Sequence, residues 1–244
     1  MKIITLDSIN STNDFLKHYS KSADIENFTV VVAREQTQGR GQMGNQWISE
    51  KHKNLTFSIL LKNFIRPNTP LFILNLIISN ALIHFLKTID IQTVTIKWPN
   101  DIMIGNKKTS GILIENLYKE NGLVDSIIGI GLNVNQTHFN QLPYATSLEI
   151  EKKHSFDLND ILNDLLQVIE KDISTFTESK IIDYLTQYNQ LLYKKDLPSV
   201  FKNQNGEKFM GIIKQVSIDG KIHILLENDQ EVIFNNKEIE YLQN

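Results

Sequence analysis

A glycine-rich loop between two apolar runs constrains the fold of this chain more than any other feature. The run FTVVVA (28–33) predicts a strand, and TQGRGQMGNQW (37–47) follows it with three glycines in G-x-G-x-x-G spacing. A dinucleotide-binding loop of that spacing leads directly into a helix whose N-terminus holds the pyrophosphate. Here the loop leads instead to LTFSILL (55–61), a second predicted strand. The sequence therefore predicts a loop between two strands and excludes a Rossmann unit at this point.

The composition of this loop suits an anion. Glycines expose backbone N–H groups, and the guanidinium of Arg40 adds a planar donor, so that a phosphate or an acyl-phosphate would fit. A mobile surface loop with incidental glycines is the alternative, and the loop alone does not decide between the two.

Strands and turns dominate the middle of the chain, and helices lie on either side of it. The period-two runs predict strands at 94–98, 101–104, 109–117 and 124–134, joined by the turns GNKK and KENG. Capping residues and the helical period predict four helices: one from Ser11 or Thr12 to about Tyr19, one opened by Thr69-Pro70 and continuing through 71–89, one from Asp157 to 176, and one over 179–195. These elements predict an α+β fold with a mixed sheet.

The pattern changes after Lys195. Three or four short strands within about 45 residues, with turns at Asp219-Gly220 and Asn228-Asp229, predict a small antiparallel barrel. We therefore expect a main domain over 1–195 and a small C-terminal domain over 196–244.

The composition narrows the possible chemistry. The 25 basic and 28 acidic residues give a net charge of −3, which provides no general attraction to nucleic acid or to an anionic membrane. The chain has no cysteine, and its six histidines lack metal-binding spacing, so we expect no protein-held metal. Polar residues interrupt the apolar segment 71–89, which predicts a buried helix and not a membrane span. Without a signal peptide at the N-terminus, a cytoplasmic protein is expected.

A second cluster of polar residues occurs in KWPNDIMIGNKKTSGILIE (97–115). Pro99 cannot pair within a sheet, so the chain is expected to turn there and expose Asn100 and Asp101. Lys108 enters an apolar strand, which is costly unless the ammonium meets an anion. A proline-stiffened hairpin, with a lysine whose ammonium reaches solvent at the strand end, is the alternative.

Taken together, these segments resemble the catalytic domain of biotin–protein ligases. The matching motifs are, in order, SINSTN (8–13), QTQGRGQMGNQW (36–47), KWPND (97–101), KKTSGILIE (107–115) and GIGLNVN (129–135). The resemblance covers essentially the whole chain. It implies a catalytic domain of the class II aminoacyl-tRNA synthetase/biotin ligase type followed by a small SH3-like β-barrel.

The resemblance also implies a two-step reaction. Biotin attacks the α-phosphate of ATP, with Mg²⁺ shielding the phosphates, to give biotinyl-5′-adenylate and pyrophosphate. A lysine in the biotin carboxyl carrier domain of a biotin-dependent carboxylase then attacks the adenylate. Because the mixed anhydride hydrolyses in water, the glycine loop is expected to close over it.

The resemblance assigns roles to individual residues. Lys108 and Arg40 are expected to supply positive charge where the anions meet, and Asp101 to orient or deprotonate the incoming lysine. The family's positions for biotin correspond to Ser11, Thr12, Asn13, Gln36, Gly39, Arg40, Gly41, Lys108 and Gly111. The positions for ATP and the adenylate correspond to Arg40, Gln42, Trp47, Lys97, Asn100, Lys108 and Asn133. Trp47 is equally well explained as a core aromatic residue.

The loop departs from the family at two positions. Many members carry a basic residue directly after G-R-G, where this chain has Gln42, and Asn45 also replaces a residue that is often basic. Arg40 then remains as the fixed cation of the loop.

Three other functions are alternatives to biotin ligation for a chain with these motifs. A lipoate– or octanoate–protein ligase of related fold needs an apolar tunnel, which the polar set Ser11, Thr12 and Gln36 disfavours. A biotin-sensing repressor carries a DNA-reading domain before the first motif, and because that motif starts at Ser8 we expect no DNA binding. A catalytically dead binding module is disfavoured because Lys108, Arg40 and Asp101 are all present. Whether the protein is a monomer or a homodimer stays open.

Overall fold

Seven strands form the main sheet of the protein, seen in a computed structural model that describes residues 1–22, 25–120, 122–140 and 142–242. The strands are β1 (Lys2–Leu6), β2 (Thr29–Ala33), β3 (Leu55–Ile65), β4 (Val94–Lys97), β5 (Asp101–Ile104), β6 (Lys107–Tyr118) and β7 (Val124–Leu132). Their order is β1-β2-β3-β7-β6-β5-β4, in which β1 and β2 are parallel and the other neighbours antiparallel. The mixed sheet predicted from the sequence is confirmed.

Helix α1 (Thr12–Ser22) connects the parallel pair β1 and β2. Its first turn is capped by Ser11, whose Oγ accepts a hydrogen bond from the backbone N–H of Asp14 at 3.3 Å. The glycine loop lies between β2 and β3, which are antiparallel, so the predicted absence of a Rossmann unit after the loop is confirmed. Strand β1 was not predicted, because it is a short and largely exposed edge strand.

Helix α2 (Ile73–Thr88) is the buried helix predicted from the apolar segment. It packs against the sheet together with α3 (Leu148–Lys152), α4 (Leu158–Ser174) and α5 (Ile181–Gln190). Asp157 caps α4 as predicted, since its carboxylate accepts from the N–H groups of Asn159 and Asp160. Among the described residues, no helix is both long and apolar enough to span a membrane.

Several predicted boundaries were wrong. Pro70 does not occupy the first turn of α2; its carbonyl accepts from Ile73 N–H in a turn that precedes the helix. Helix α5 ends at Gln190 instead of 195, and β7 ends at Leu132 instead of 134. Strand β6 begins at Lys107, two residues earlier than predicted, so that Lys108 lies within the strand.

The second sheet is antiparallel throughout and has five strands. They are β8 (Pro198–Asn203), β9 (Lys208–Val216), β10 (Ile222–Leu226), β11 (Glu231–Phe234) and β12 (Ile239–Leu242), in the order β11-β10-β9-β8-β12. The sequence predicted three or four strands and missed β8 and β12. Strand β8 begins with a proline and β12 has four residues, so neither gives a clear period-two signal.

The two faces of the main sheet are covered differently. Alternate side chains of β2, β3 and β7 pack against α2 and its neighbours in the larger core. The intervening residues, such as Val31, Leu60 and Ile127, pack beneath α1 in a smaller core. Beyond the N-terminus of α1 this second face carries small and polar residues instead, and the candidate site lies there.

Candidate active site

A cavity of about 640 Å³ lies among the N-terminus of α1, the glycine loop, the β4–β5 turn and the second sheet. Thirteen of the predicted site residues line it: Ser11, Thr12, Asn13, Gln36, Arg40, Gly41, Gln42, Trp47, Lys97, Asn100, Asp101, Lys108 and Gly111. Its volume falls in the range of sites that hold small-molecule ligands. The structure thus brings residues from four distant segments of the chain to one place.

The floor of the cavity is the small-residue part of the sheet. Gly111 on β6 and Gly129 and Gly131 on β7 all line it. A Cβ atom added to Gly131 would overlap the ring of Trp47, and one added to Gly129 would overlap the amide of Asn13. These glycines are therefore required because other side chains lie directly on the strand backbone.

Neutral hydrogen bonds connect four side chains, which we call the polar wall: Thr12, Asn13 and Gln36, which line the cavity, and Ser58, which lies behind them. The Gln36 Oε1 atom accepts from Thr12 N at 2.7 Å and from Thr12 Oγ1 at 3.0 Å. Ser58 Oγ lies 2.7 Å from Thr12 Oγ1 and 2.6 Å from Asn13 Oδ1. Thr12, Asn13 and Ser58 are buried, so the network is fixed before any ligand arrives.

Ser58 was missed by the sequence analysis. Its signal was a polar residue within the apolar strand LTFSILL, which by itself points to a buried hydrogen bond and not to a site. Only the pairing of β3 with its neighbours shows that this hydroxyl lies under the N-terminus of α1.

Arg40 reaches from the glycine loop to two carboxylates. Its Nη1 lies 2.6 Å from Asp14 Oδ1, and its Nη2 lies 2.7 Å from Glu115 Oε1. Glu115 also accepts from Asn13 Nδ2 at 2.9 Å and lies 3.5 Å from Lys17 Nζ. The cation of the loop is thus paired in the free protein. Asp14 and Glu115 were not predicted to belong to the site.

These contacts shift the ionisation of both partners. Burial alone would raise the pKa of Glu115, but hydrogen bonds from Asn13 and Arg40 and the charge of Arg40 outweigh it and lower the pKa below its ordinary value. Burial would lower the pKa of Arg40, whereas the hydrogen bond and charge of Glu115 and the charge of Asp14 raise it. The pair is therefore held fully ionised at neutral pH.

Lys108 forms the second charged contact of the cavity, with its Nζ 2.6 Å from Asp101 Oδ1. The same Nζ lies 5.7 Å from the centre of the Trp47 ring, within cation–π range. The backbone around Lys108 is also held, since Lys108 N–H donates to Tyr144 O and Thr146 N–H donates to Lys108 O. The structure brings two of the three predicted catalytic groups into contact, Lys108 and Asp101, whereas Arg40 pairs with other carboxylates.

Trp47 lies in the wall of the cavity and not in the core. Its ring covers Gly111 and Gly131, and its backbone N–H donates to Gly39 O at 2.9 Å, which sets the width of the loop. Its buried Nε1 has no hydrogen-bond partner among the residues that the structure describes. An aromatic face beside a lysine suits a planar base next to a phosphate.

Lys97 and Asn100 frame the other end of the cavity. Burial and the charge of Lys108 lower the pKa of Lys97, although Asp101 and Glu240 oppose the shift. The Lys97 ammonium lies 5.1 Å from the ring centre of Tyr241 on β12. Asn100 Nδ2 donates to Ile112 O at 2.7 Å, so this amide locks the β4–β5 turn onto β6.

Two predicted site residues, Gly39 and Asn133, are described by the structure but lie outside the cavity lining. Gly39 packs against the backbone of Trp47 and so shapes the loop from behind. Asn133 is buried behind β6, where its Nδ2 donates to Thr146 O at 3.0 Å. Its Oδ1 finds no hydrogen-bond partner within the described part of the chain.

The charged residues do not gather into a metal site. Within the described ranges, no group of three or more His, Asp or Glu side chains is placed to hold a metal ion. Asp101, the carboxylate that lines the cavity nearest the lysines, is paired with Lys108.

Comparison with known proteins gives consistent matches. The model for the biotin/lipoate A/B protein ligase family matches residues 5–133. The bifunctional ligase/repressor BirA of Bacillus subtilis is 33% identical over 218 residues, which cover 84% of this chain and 63% of that protein. The biotin–[acetyl-CoA-carboxylase] ligase of Mycobacterium tuberculosis is 30% identical over 167 residues, covering 67% of this chain and 60% of that protein. The chain thus spans somewhat less than two thirds of the length of these relatives.

Among solved structures, the biotin protein ligase of Aquifex aeolicus in complex with biotin and ATP superimposes with a TM-score of 0.81 and 26% identity. The match covers 100% of this chain and 99% of that one. It therefore includes both sheets.

Proposed function

Because the chain belongs to the biotin/lipoate A/B protein ligase family, we propose that it activates biotin with ATP and transfers the biotinyl group to a lysine of an acceptor protein. One observation carries the proposal: a neutral polar wall and a lysine beside a tryptophan face the same cavity. The first suits the ureido ring of biotin, and the second suits an adenylate.

The polar wall would recognise biotin. The ureido ring offers two N–H donors and one carbonyl, each of which needs a partner once it is buried. Ser11 and Thr12 offer hydroxyls, and Gln36 retains its amide nitrogen after its oxygen has accepted from Thr12. Asn13 and Ser58 would hold these groups in place from behind.

Lys108 would supply the charge for the first step. The biotin carboxylate and the α-phosphate are both anions, so their approach needs a cation where negative charge builds up. The Nζ of Lys108 is aimed into the cavity and would exchange Asp101 for the phosphate. Asp101, released in this way, would be free to orient the ammonium of the acceptor lysine in the second step.

Arg40 and Trp47 would enclose the intermediate. Arg40 holds the loop to α1 and β6 through Asp14 and Glu115, which keeps the loop beside the cavity. Trp47 would cover the adenylate from the loop side, with Gln42, Lys97 and Asn100 nearby. A closed loop would keep water from the mixed anhydride.

Mg²⁺ would arrive with ATP. Mg²⁺ in nucleotide sites is usually bound by one or two carboxylates together with phosphate oxygens and water. The described residues offer no carboxylate cluster at the cavity, so the fit is through the phosphates, whose charge the ion would neutralise.

We further propose residues 1–195 as the catalytic domain and 196–244 as the small C-terminal domain, with the break between α5 and β8.

The acceptor would be the biotin carboxyl carrier domain of a carboxylase, in line with the name of the mycobacterial relative. ATP dependence supports the cytoplasm as its compartment. With a net charge of −3, the chain itself is expected not to bind DNA, and nanomolar, salt-sensitive binding to its own upstream DNA would contradict this.

Incubation with ATP, labelled biotin and a purified biotin carboxyl carrier domain tests the proposal. We expect label on the carrier that is lost when the acceptor lysine is replaced by arginine. Transfer of octanoate or lipoate in place of biotin would favour the related lipoate ligases, and transfer of none of the three would reject the ligase function.

A further inference from the structure

The glycine loop is shaped mainly by its own backbone. Gly41 N–H donates to Asn45 O at 2.7 Å, and Asn45 N–H donates to Gln42 O at 3.1 Å. Gly44 and Asn45 at its tip are exposed. These bonds define the form of the loop, but they do not determine where the loop lies relative to the cavity.

The tip of the loop also contacts the second sheet. Gln42 Oε1 accepts a hydrogen bond from Asn236 Nδ2 at 3.1 Å, across 194 positions of sequence. Both residues line the cavity. Each amide has a donor and an acceptor, so the same contact forms when both groups are flipped together, with Gln42 then donating to Asn236. Gln42 is one of the two loop positions at which many members of the family carry a basic residue.

The turn that presents Asn236 is rigidly built. Asn235 donates to Glu238 through its backbone N–H at 2.6 Å and through its Nδ2 at 2.9 Å, and Glu238 N–H donates back to Asn235 O at 3.1 Å. The hydrogen bonds from Asn235 lower the pKa of Glu238, so the carboxylate that closes the turn stays ionised. Asn236 therefore projects from a preorganised turn.

The sheet that carries this turn is itself fixed to the catalytic part. Trp98 Nε1 donates to Gly220 O at 2.9 Å. Asn189 and Val216 exchange two hydrogen bonds, of 2.9 and 2.6 Å. The 235–238 turn thus has a defined position relative to the cavity, which is what a support for a mobile loop requires.

We propose that Asn236 is a positioning residue: through Gln42, the 235–238 turn of the second sheet holds the glycine loop over the cavity. The second sheet then helps to keep the glycine loop closed over the cavity. The position of the loop can be measured in the free protein. The slower release of an acyl-adenylate that we expect from it rests on the proposed function.

Hydrogen exchange of the backbone amides of residues 38–47 tests the contact without any substrate. Loss of one neutral hydrogen bond in Asn236→Ala should speed this exchange about two- to tenfold. Asn228→Ala is the matched control, because Asn228 lies in the β10–β11 turn and bonds only locally to Gln230. Equal exchange in the two variants would overturn the proposal.

A double-mutant cycle and a swap separate positioning from general damage. Gln42→Ala should speed exchange as much as Asn236→Ala, and the double variant no further. The swapped pair Gln42→Asn with Asn236→Gln should restore slow exchange. Additive effects of the two alanines, or failure of the swap while the thermal midpoint stays at the wild-type value, would contradict the contact.

Release of the adenylate tests the consequence. After rapid dilution, Asn236→Ala should release labelled adenylate two- to tenfold faster than Asn228→Ala, with the KM for biotin within twofold, because Asn236 donates to Gln42 and not to the polar wall. Unchanged release would contradict the role in closure. If the wild-type protein forms no adenylate, the proposed function fails, whereas the exchange result still decides the loop contact.

Discussion

The polar wall of the cavity and its charged side are built on opposite principles. On the polar wall, neutral hydrogen bonds join the buried Thr12, Asn13 and Ser58 to one another and to Gln36, and Asn13 alone of the four also donates to the carboxylate of Glu115. On the charged side, Lys108 and Arg40 are each more than a third exposed and are paired with carboxylates. The first is preorganised for a neutral group, whereas the second must exchange partners when an anion binds.

This difference assigns the two parts of the cavity different tasks. A closed, buried network discriminates between ligands because any group that it leaves unpaired costs about 1–3 kcal/mol. Half-exposed ion pairs discriminate little, but they respond to salt and to pH. We therefore expect the polar wall to determine which carboxylic acid is the substrate, and the charged side to determine the rate at which the adenylate forms.

Lys108→Ala should produce the largest effect. Loss of a preorganised cation at the reacting oxygens costs roughly 3–4 kcal/mol, which is a 10²- to 10³-fold loss in biotin-dependent ATP–pyrophosphate exchange. Lys107→Ala, at the exposed neighbouring position of β6, is the control and should retain activity. A loss of less than about fivefold in Lys108→Ala would remove this lysine from the reacting centre.

Two glycine substitutions should separate the two parts of the cavity. Gly129→Ala pushes against Asn13 and should raise the KM for biotin, whereas Gly131→Ala pushes against Trp47 and should raise the KM for ATP. Overpacking of this kind costs about 1–3 kcal/mol, or roughly 5- to 150-fold. Steady-state kinetics with each substrate varied gives the answer, and equal shifts of both KM values in both variants would refute the division.

Ser58→Ala should reveal the cohesion of the polar wall. Removing the hydroxyl leaves the Oδ1 atom of the buried Asn13 without this donor, which should lower the free energy of unfolding by about 1–3 kcal/mol in urea titrations. Ser174→Ala, at the exposed end of α4, is the control and should change little. Equal stability of the two variants would mean that the network does not hold the wall together.

Acidification should lower the stability of the wild type through protonation of Glu115, and Glu115→Gln should remove this part of the pH dependence. The pKa of Glu115 in the folded protein lies below its ordinary value of 4.5. Its stabilising contribution is therefore complete above that pH and is lost as the pH falls through the lowered pKa. The thermal midpoint of the wild type should fall more steeply below about pH 4.5 than that of Glu115→Gln. Parallel curves would show that the Arg40 contact adds no stability.

The sequence predicted which residues line the cavity better than it predicted the edges of the fold. The motifs KWPND and KKTSGILIE lie close together in the sequence on the adjacent strands β5 and β6, so the proximity of Asp101 and Lys108 could be anticipated from them. Strands β1 and β12 lie at sheet edges and depend on partners far along the chain, which a local pattern does not contain.

The partners of the site residues could not be predicted for the same reason. Arg40 was expected to supply positive charge to the substrate anions, but Glu115 comes to it from β6, 75 positions later, only when the sheet has formed. Ser58 likewise meets Thr12 across 46 positions. Long-range pairing determines which charges are already neutralised, and this information appears only in the folded chain.

Pyrophosphate exchange measured in parallel with biotin, lipoate and octanoate shows whether Ser11 and the polar wall select biotin. An aliphatic chain would leave two or three groups of Ser11, Thr12 and Gln36 without partners, at about 1–3 kcal/mol each. We therefore expect exchange with biotin to exceed exchange with either aliphatic acid by about 10³-fold or more. Exchange with lipoate within tenfold of that with biotin would contradict it.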